Sequence, residues 1–210
     1  AFLLNIQKTE RLTQLVKILS SQAGNLVNVS ELSSTLGLSV QTINDYLWYL
    51  EKTFIIHKVT PYFKNIRKEI TKMCLYYFLD LGLKNYTIGQ FGTATQGVPS
   101  GFLFENFVYN NVYINLNTAT SHIHFWRTQD KAEVDFILST ATNIVPIEVK
   151  YHILQKPETT RSFKSFLNKY HPNKAYVVHL GETFEDRYNN TRILFVSYFQ
   201  MLDVLKTYNS

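Results

Sequence analysis

Cysteine is nearly absent from this 210-residue chain, in which Cys74 is the only one. A single cysteine excludes a disulfide within the chain and fits a reducing compartment, so we expect a cytoplasmic protein. No apolar run approaches the roughly 18–20 residues that a membrane-spanning helix needs. The apolar start AFLLNI is also too short for a secretory signal, and we therefore expect no membrane partner.

The chain also lacks an initiator methionine and any stretch of the form G-x-x-x-x-G-K-[S/T]. From the first absence we expect a fragment of a longer protein, and the second excludes a phosphate-binding loop of that type here. The composition, 45% hydrophobic with 15% aromatic residues, predicts a sizeable core in one large or two small domains. A net charge of +5 allows a nucleic-acid partner but is too small to indicate one alone.

Residues 10–59 carry the pattern of a winged helix-turn-helix. A first amphipathic helix is followed by VSELSSTLG, where Ser30 is predicted to cap a helix that Gly37 ends. Ser39 is predicted to cap a second helix, VQTINDYLWYLEKT, with an apolar stripe that includes Val40. The β-rich run FIIHKV follows as the expected start of a wing.

The second of these helices would be the DNA-reading helix, but its charge has the wrong sign. Between Ser30 and Glu51 there is no lysine or arginine, whereas a DNA-reading helix usually presents cations to phosphates. We therefore favour a structural or interdomain role for this helix. Base reading by Gln41 and Asn44 stays open.

A cationic stretch follows the predicted wing, with aromatic side chains between its charges. Its basic residues are Lys58, Lys64, Arg67, Lys68 and Lys72. This composition is typical of contacts to nucleic-acid phosphates and also of a solvated surface, so both interpretations stay open. After the predicted buried strand KMCLYYFLD, residues 87–101 are rich in Gly, Thr and Gln and are predicted to form a mobile loop.

Residues 100–210 are predicted to form an α/β domain with a mixed sheet flanked by helices. The first helix is GFLFENFVYNNVYINL, with an apolar stripe of Phe104, Phe107, Val108 and Val112. Strands are predicted at HIHFWRT, AEVDFILS, NIVPIEVK, AYVVHL and RILFVS, and the second and third of these form a hairpin. Further helices are predicted from Pro157 to about Lys169 and over SYFQMLDVLK.

The hairpin AEVDFILSTATNIVPIEVK carries four charges on otherwise apolar strands. Residues i and i+2 share a face, so Glu133 lies beside Asp135 and Glu148 beside Lys150, while the apolar residues between them point to the core. Antiparallel pairing can set Asp135 opposite Glu148, where two carboxylates repel each other. Mg²⁺ or Mn²⁺ would reverse that repulsion and could support phosphodiester hydrolysis, with Lys150 holding a water or stabilising the phosphate.

An aspartate on one strand and Glu-x-Lys on the next resemble the motif of the PD-(D/E)xK nuclease superfamily. The resemblance implies a restriction-endonuclease-like fold, with Asp135 and Glu148 as metal ligands and Lys150 supporting the nucleophile. The proline of the motif is Val134 in this chain. The resemblance also implies an auxiliary carboxylate ligand from the preceding helix, which is Glu105 here.

Three longer stretches, GFLFENFV, FWRTQDKAEVDF and IVPIEVK, are similar to the C-terminal region of a group of prokaryotic AAA-type ATPases. Those chains carry an ATPase domain, then a winged helix, then a nuclease-like domain. The resemblance implies a winged helix-turn-helix at 1–60, a wing, linker and mobile loop at 61–99, and a nuclease-like domain at 100–210. ATP would then bind only to an N-terminal ATPase domain that is missing from this sequence.

Two functions of different classes follow from these patterns, and both stay open. The first is a Mg²⁺-dependent DNA nuclease module, with DNA as its partner. The second is a catalytically inactive interaction or regulatory module that keeps the nuclease fold and is attached to an ATPase. Arg127 and Glu133 are auxiliary candidates, either to orient a substrate or to form a structural ion pair. Assembly into a homo-oligomer is also left open.

Overall fold

The computed structural model describes residues 9–63, 73–91 and 100–201, which contain six helices and eight strands. The helices are α1 (Thr9–Ser21), α2 (Val29–Leu36), α3 (Val40–Lys52), α4 (Leu81–Thr87), α5 (Ser100–Asn115) and α6 (Arg161–Tyr170). The strands are β1 (Ile56–Pro61), β2 (Leu75–Phe78), β3 (His122–Arg127), β4 (Glu133–Ser139), β5 (Ile144–Val149), β6 (Lys174–His179), β7 (Phe184–Tyr188) and β8 (Thr191–Ser197). Two compact units divide the chain: a first unit of residues 1–59 and 73–106, and a second of residues 60–72 and 107–210.

In the first unit, α2 and α3 are the two helices that the sequence predicted on either side of Gly37. Gly37 ends α2 in the left-handed conformation, with φ of 61°, and Ser39 caps α3 as predicted. The predicted cap of α2 was wrong. Asn28 caps this helix instead of Ser30, because the Asn28 side-chain oxygen accepts from the first free amides of the helix.

The core of the first unit joins the apolar faces of its helices to the antiparallel pair of β1 and β2. Among its fully buried side chains are Leu15, Ile43, Ile56 and Phe78. Val40 was predicted on the buried stripe of α3 but is 46% exposed, because it is the first residue of the helix. Two helices followed by a strand thus form as expected.

The second unit is built on a mixed sheet with the strand order β3-β4-β5-β6-β8-β7. Strands β3, β4 and β5 are antiparallel neighbours, as the predicted hairpin requires. Strand β6 runs parallel to β5 and β8, and β7 is antiparallel to β8. Strand β7 was not predicted, because its sequence FEDRY carries three charges and its side chains are exposed or half-buried.

Helix α6 packs on one face of this sheet through an amphipathic sequence. Phe163 is fully buried in an apolar cluster that includes Trp126. The helix begins at Arg161 and not at the predicted Pro157. The reason is the cap: the Thr160 hydroxyl oxygen accepts a hydrogen bond of 3.0 Å from the amide of Phe163.

The remaining predictions are confirmed in part. Helix α5 forms where predicted, and Val108 and Val112 of its stripe are buried, but Phe107 is 37% exposed. Helix α4 was not predicted. Residues 92–99 of the predicted loop and 202–206 of the predicted last helix lie outside the described residues. The predicted start of that helix at Ser197 was wrong, because Ser197 ends β8 and residues 198–200 form a turn. None of the helices in the described ranges combines the length and apolarity needed to cross a bilayer.

Candidate functional site

The β4–β5 hairpin brings together the two carboxylates that the sequence singled out. Phe136 pairs with Ile147 in an antiparallel register, and continuing that register by one residue sets Asp135 opposite Glu148. The Oδ2 atom of Asp135 accepts a hydrogen bond of 2.6 Å from the backbone amide of Val149. The Asp135 carboxylate is therefore held at the end of β5, by a contact that the sequence did not predict.

Strand β4 carries one extra residue between Val134 and Ile137, in the stretch that contains Asp135. The flanking pairs are His124 with Ile137 and Trp126 with Val134, so three steps along β4 match two steps along β3. Val134 and Ile137 consequently belong to the same apolar cluster, and the predicted strict alternation of β4 is wrong here. Such bulges often re-aim a side chain beside a functional site.

The Glu148 carboxylate is almost completely buried, with its side chain 7% exposed. Its Oε1 atom accepts two hydrogen bonds, from Lys150 Nζ at 2.9 Å and from Thr160 Oγ1 at 3.1 Å. Its Oε2 atom is buried and accepts none from any of the residues described. A buried carboxylate oxygen without a hydrogen-bond donor is unfavourable, so we expect a cation or a bound water at Oε2.

Thr160 links this carboxylate to helix α6. Its hydroxyl oxygen accepts from the amide of Phe163, and its hydroxyl proton is donated to Glu148. Thr160 was not predicted as a site residue, because the helix was expected to start at Pro157. A threonine directly before the amphipathic run RSFKSFLNKY is the signal that could have identified it.

Lys150 remains a cation at neutral pH. Burial alone would lower the pKa of its ammonium group, but the charge and hydrogen bond of Glu148 oppose this, as do the charges of Asp135 and Glu158. The pKa of Lys150 therefore lies above its ordinary value. A lysine in this state cannot accept a proton as a general base, but it can hold a water molecule or stabilise negative charge.

The donor set fits a hard divalent cation. Among the described residues, no group of three or more His, Cys, Asp or Glu side chains is arranged to hold a metal ion. Asp135 and Glu148 instead form a pair, and Mg²⁺ is commonly bound through only one or two carboxylates together with several waters. The unsatisfied Oε2 of Glu148 is the atom at which such a cation would bind.

Glu105, the predicted auxiliary ligand, belongs to the first unit. The Tyr77 hydroxyl donates a hydrogen bond to its Oε1 atom. The neighbouring Asn106 is fully buried and pairs with both the amide and the carbonyl of Phe78, at 3.1 and 2.8 Å. The role of Glu105 as a metal ligand stays a prediction.

The two auxiliary candidates of the hairpin form an ion pair. Arg127 and Glu133 are directly opposite on β3 and β4, with Arg127 Nη2 3.1 Å from Glu133 Oε2. Both side chains are more than a third exposed, and exposed pairs stabilise a fold by only about 0–1 kcal/mol. A substrate-orienting role for either residue stays a prediction.

The predicted phosphate-contacting stretch is described only at its start. Lys58 lies exposed on β1. The other predicted contact residues lie outside the described part of the chain: Lys64, Arg67, Lys68 and Lys72. Their role stays a prediction from the sequence.

Two protein families and several relatives are similar to this chain. Residues 2–94 match a family described as "Domain of unknown function (DUF8612)", and residues 100–199 match "Domain of unknown function (DUF4143)". An uncharacterized protein of Haemophilus influenzae is 27% identical over 168 residues, which cover 78% of this chain and 39% of that protein. An uncharacterized protein of Mycobacterium tuberculosis is 28% identical over 167 residues, covering 79% of this chain and 37% of that protein.

The chain thus spans about two-fifths of the length of the curated relatives it matches. Among solved structures, protein VC1899 from Vibrio cholerae aligns over 98% of this chain and 56% of its own, with 15% identity and a TM-score of 0.30. That similarity is too low to establish a shared fold. Residues 100–199, which contain Asp135, Glu148 and Lys150, are therefore similar to a family described only as a domain of unknown function.

Proposed function

We propose that the second unit carries a divalent-cation-dependent nuclease site that hydrolyses phosphodiester bonds of DNA. The observation that carries this proposal is the buried Glu148 carboxylate. Its Oε1 atom is occupied by Lys150 and Thr160, while Oε2 accepts no hydrogen bond from a described residue. Asp135 lies one strand away and would be the second carboxylate of the site.

Each side chain of the proposed site has a distinct role. Asp135 and Glu148 would hold Mg²⁺ or Mn²⁺, which supplies an activated water and neutralises charge on the phosphate. Lys150 stays protonated, so it orients the attacking water or stabilises the negative charge that develops on the phosphate. The Val149 amide and the Thr160 hydroxyl keep the two carboxylates in place.

A catalytically inactive interaction or regulatory module is the second candidate. The observation that favours it is the direct contact between Lys150 and Glu148, which already balances one negative charge with one positive charge. In such a module the pair would be purely structural.

The finer architecture is part of the same proposal. We propose that α2, α3, β1 and β2 form a winged helix-turn-helix and that the second unit has a PD-(D/E)xK-type fold. Attachment to an N-terminal ATPase domain rests on the sequence resemblance alone. ATP hydrolysis by the native protein, measured with and without DNA, tests that attachment.

Supercoiled plasmid is the substrate that separates the two candidates. In Mg²⁺ or Mn²⁺ the protein should nick the plasmid, and EDTA should abolish the reaction. Asp135→Asn, Glu148→Gln and Lys150→Met should each reduce the initial rate to background. The control variants Asp45→Asn and Lys52→Met change charges on α3 and should cleave like the wild type. Cleavage that survives all three site substitutions, or its absence at millimolar Mn²⁺, would overturn the nuclease proposal.

A further inference from the structure

Helix α6 begins a long segment that carries charge of one sign only. Residues 159–181 contain four basic residues and no aspartate or glutamate. These are Arg161, Lys164, Lys169 and Lys174, and all four are exposed. The first three lie on α6 itself, whose opposite face is buried through Phe163, Phe166 and Leu167.

These helix cations have no acidic partner in the described part of the chain. The ion pairs formed there involve Arg127, Lys150 and Arg192, and not Arg161, Lys164 or Lys169. Like charges one turn apart on a helix destabilise it slightly. The exposed face of α6 therefore carries an uncompensated positive charge that an external anion would relieve.

Arg161 lies at the end of α6 where a positive charge is unfavourable. It is the first residue of α6, and the first turn of the helix contains no acidic residue. A cation at a helix N-terminus opposes the helix dipole, whereas an acidic residue would be favourable there. The stability of α6 therefore does not account for an arginine at its first position.

Aromatic rings hold the other two cations. Lys164 Nζ lies 5.6 Å from the ring centroid of Tyr188, and Lys169 Nζ lies 5.7 Å from that of Trp126 and 5.2 Å from that of Tyr170. Contacts of this kind attract a cation to the face of the ring. The two ammonium groups are therefore held on the surface and are less free to move than ordinary lysines.

The same helix is joined to the candidate site, because its cap residue Thr160 donates to Glu148. We propose that the exposed face of α6, through Arg161, Lys164 and Lys169, binds the sugar-phosphate backbone of the DNA whose phosphodiester bond enters that site. This inference rests on the proposed nuclease function for its choice of polyanion. Over eight residues the three cations span roughly 12 Å along the helix axis, enough to contact more than one phosphate.

Binding to a fluorescent DNA duplex in EDTA tests the inference without any need for cleavage. Fluorescence anisotropy of the full chain would be recorded from about 50 to 400 mM salt. In the triple variant Arg161→Gln, Lys164→Gln, Lys169→Gln, the slope of log K against log salt should decrease in magnitude by roughly 2–3, since each phosphate contact contributes about 0.9. The same relation predicts a loss of affinity of about 10²- to 10³-fold at 0.1 M salt.

A matched variant separates a local contact from the loss of total charge. Arg11→Gln, Lys17→Gln, Lys52→Gln removes three charges from exposed helix positions of the first unit and should bind like the wild type. Arg161→Gln alone should lose about eightfold in affinity while its melting temperature stays unchanged or rises, since the helix dipole disfavours that cation. A weaker affinity without loss of stability excludes misfolding as the cause.

Three results would overturn the inference: equal losses in the α6 and control variants, wild-type affinity in the α6 variant, or no DNA binding by the wild type. The α6 variant could keep the wild-type affinity for DNA while substitution of Lys64, Arg67 and Lys68 lowers it. That result would assign the DNA contact to the predicted cationic stretch after the wing. Binding that depends on α6 without any cleavage in Mn²⁺ would support the inference and contradict the nuclease proposal. If the α6 variant has unchanged DNA affinity and still cleaves plasmid in Mn²⁺, the result would contradict the inference and support the nuclease proposal.

Discussion

Helices α3 and α6 share a local design and differ in the charge they expose. Each begins after a hydroxyl cap, Ser39 or Thr160, and each buries an apolar stripe. The exposed side chains of α3 carry balanced charges and a tryptophan: Gln41, Asn44, Asp45, Trp48 and Lys52. Those of α6 carry only positive charge.

A helical motif and a nucleic-acid-binding surface are therefore separate properties. Cap and stripe determine that a segment folds as a surface helix, whereas the sign of its exposed charge determines which partner it attracts. The helix-turn-helix pattern drew attention to α3, although its charge is unfavourable for DNA. The helix with suitable charge is α6, in the unit that also contains the candidate carboxylates.

The largest expected effects come from the buried sides of the two helices. Phe163→Ala should lower the free energy of unfolding of the second unit by about 3–5 kcal/mol, and Leu47→Ala that of the first by about 2–5 kcal/mol, through lost contacts and cavities. Tryptophan fluorescence in urea reports on both units together, because Trp126 lies in the second and Trp48 in the first. The backgrounds Trp48→Phe and Trp126→Phe separate the two signals. A loss below about 1 kcal/mol for Phe163→Ala would contradict the packing of α6 on the sheet.

The caps should differ although their local geometry is alike. Ser39→Ala should cost about 1 kcal/mol, the usual value for a helix cap. Thr160→Ala should cost about 2–4 kcal/mol, because it also removes a hydrogen bond to a buried charged carboxylate. Thr160→Ser should retain most of the stability. Equal losses for the two alanine variants in urea titrations would show that the contact between Thr160 and Glu148 does not contribute.

Each unit holds a histidine, half-buried in the first unit and fully buried in the second, that should make its stability depend on pH. Burial lowers the pKa of His57 in the first unit and of His179 in the second. In the second unit, Nδ1 of His179 accepts from the amides of Leu154 and Gly181, which also favours the neutral ring. Since the unfolded chain binds a proton near pH 6.5 and the folded one only at lower pH, stability should be complete above about pH 6.5 and fall below it.

The two variants His179→Gln and His57→Gln test this by unit. Below pH 6.5 each wild-type histidine contributes a slope of at most about 1.4 kcal/mol per pH unit. His179→Gln should reduce the loss of stability below pH 6.5 that is measured by Trp126 fluorescence. His57→Gln should reduce the corresponding loss that is measured by Trp48 fluorescence. If the stability of both variants fell below pH 6.5 as steeply as that of the wild type, groups other than these histidines would cause the loss of stability.

The smallest effect is expected at the exposed pair of Arg127 and Glu133. Arg127→Ala should change the free energy of unfolding by about 0–1 kcal/mol, as for other solvent-exposed ion pairs. Its DNA affinity should also stay near that of the wild type, since this arginine is not part of the α6 surface. A selective loss of plasmid cleavage in Arg127→Ala, with normal stability, would instead support a role in orienting the substrate.

Local patterns predicted most elements of the fold, because apolar periodicity and turn residues act over a few neighbours. The β4–β5 hairpin, and with it the opposition of Asp135 and Glu148, followed from two β-rich runs joined by turn residues. Three features depend on long-range packing and were missed: the extra residue of β4, the edge strand β7, and the contact of Thr160 with Glu148. The burial of Glu148 could not be predicted either, because the sequence of a strand does not specify which element covers its face.

Isothermal titration calorimetry of the full chain with Mn²⁺ measures whether a cation binds at Glu148. The wild type should bind one Mn²⁺ ion in the micromolar to millimolar range, and Glu148→Gln and Asp135→Asn should each abolish that binding. Asp45→Asn on α3 should leave it unchanged. Unaltered binding in Glu148→Gln, or no binding by the wild type at millimolar Mn²⁺, would contradict a cation site at the buried Oε2 atom.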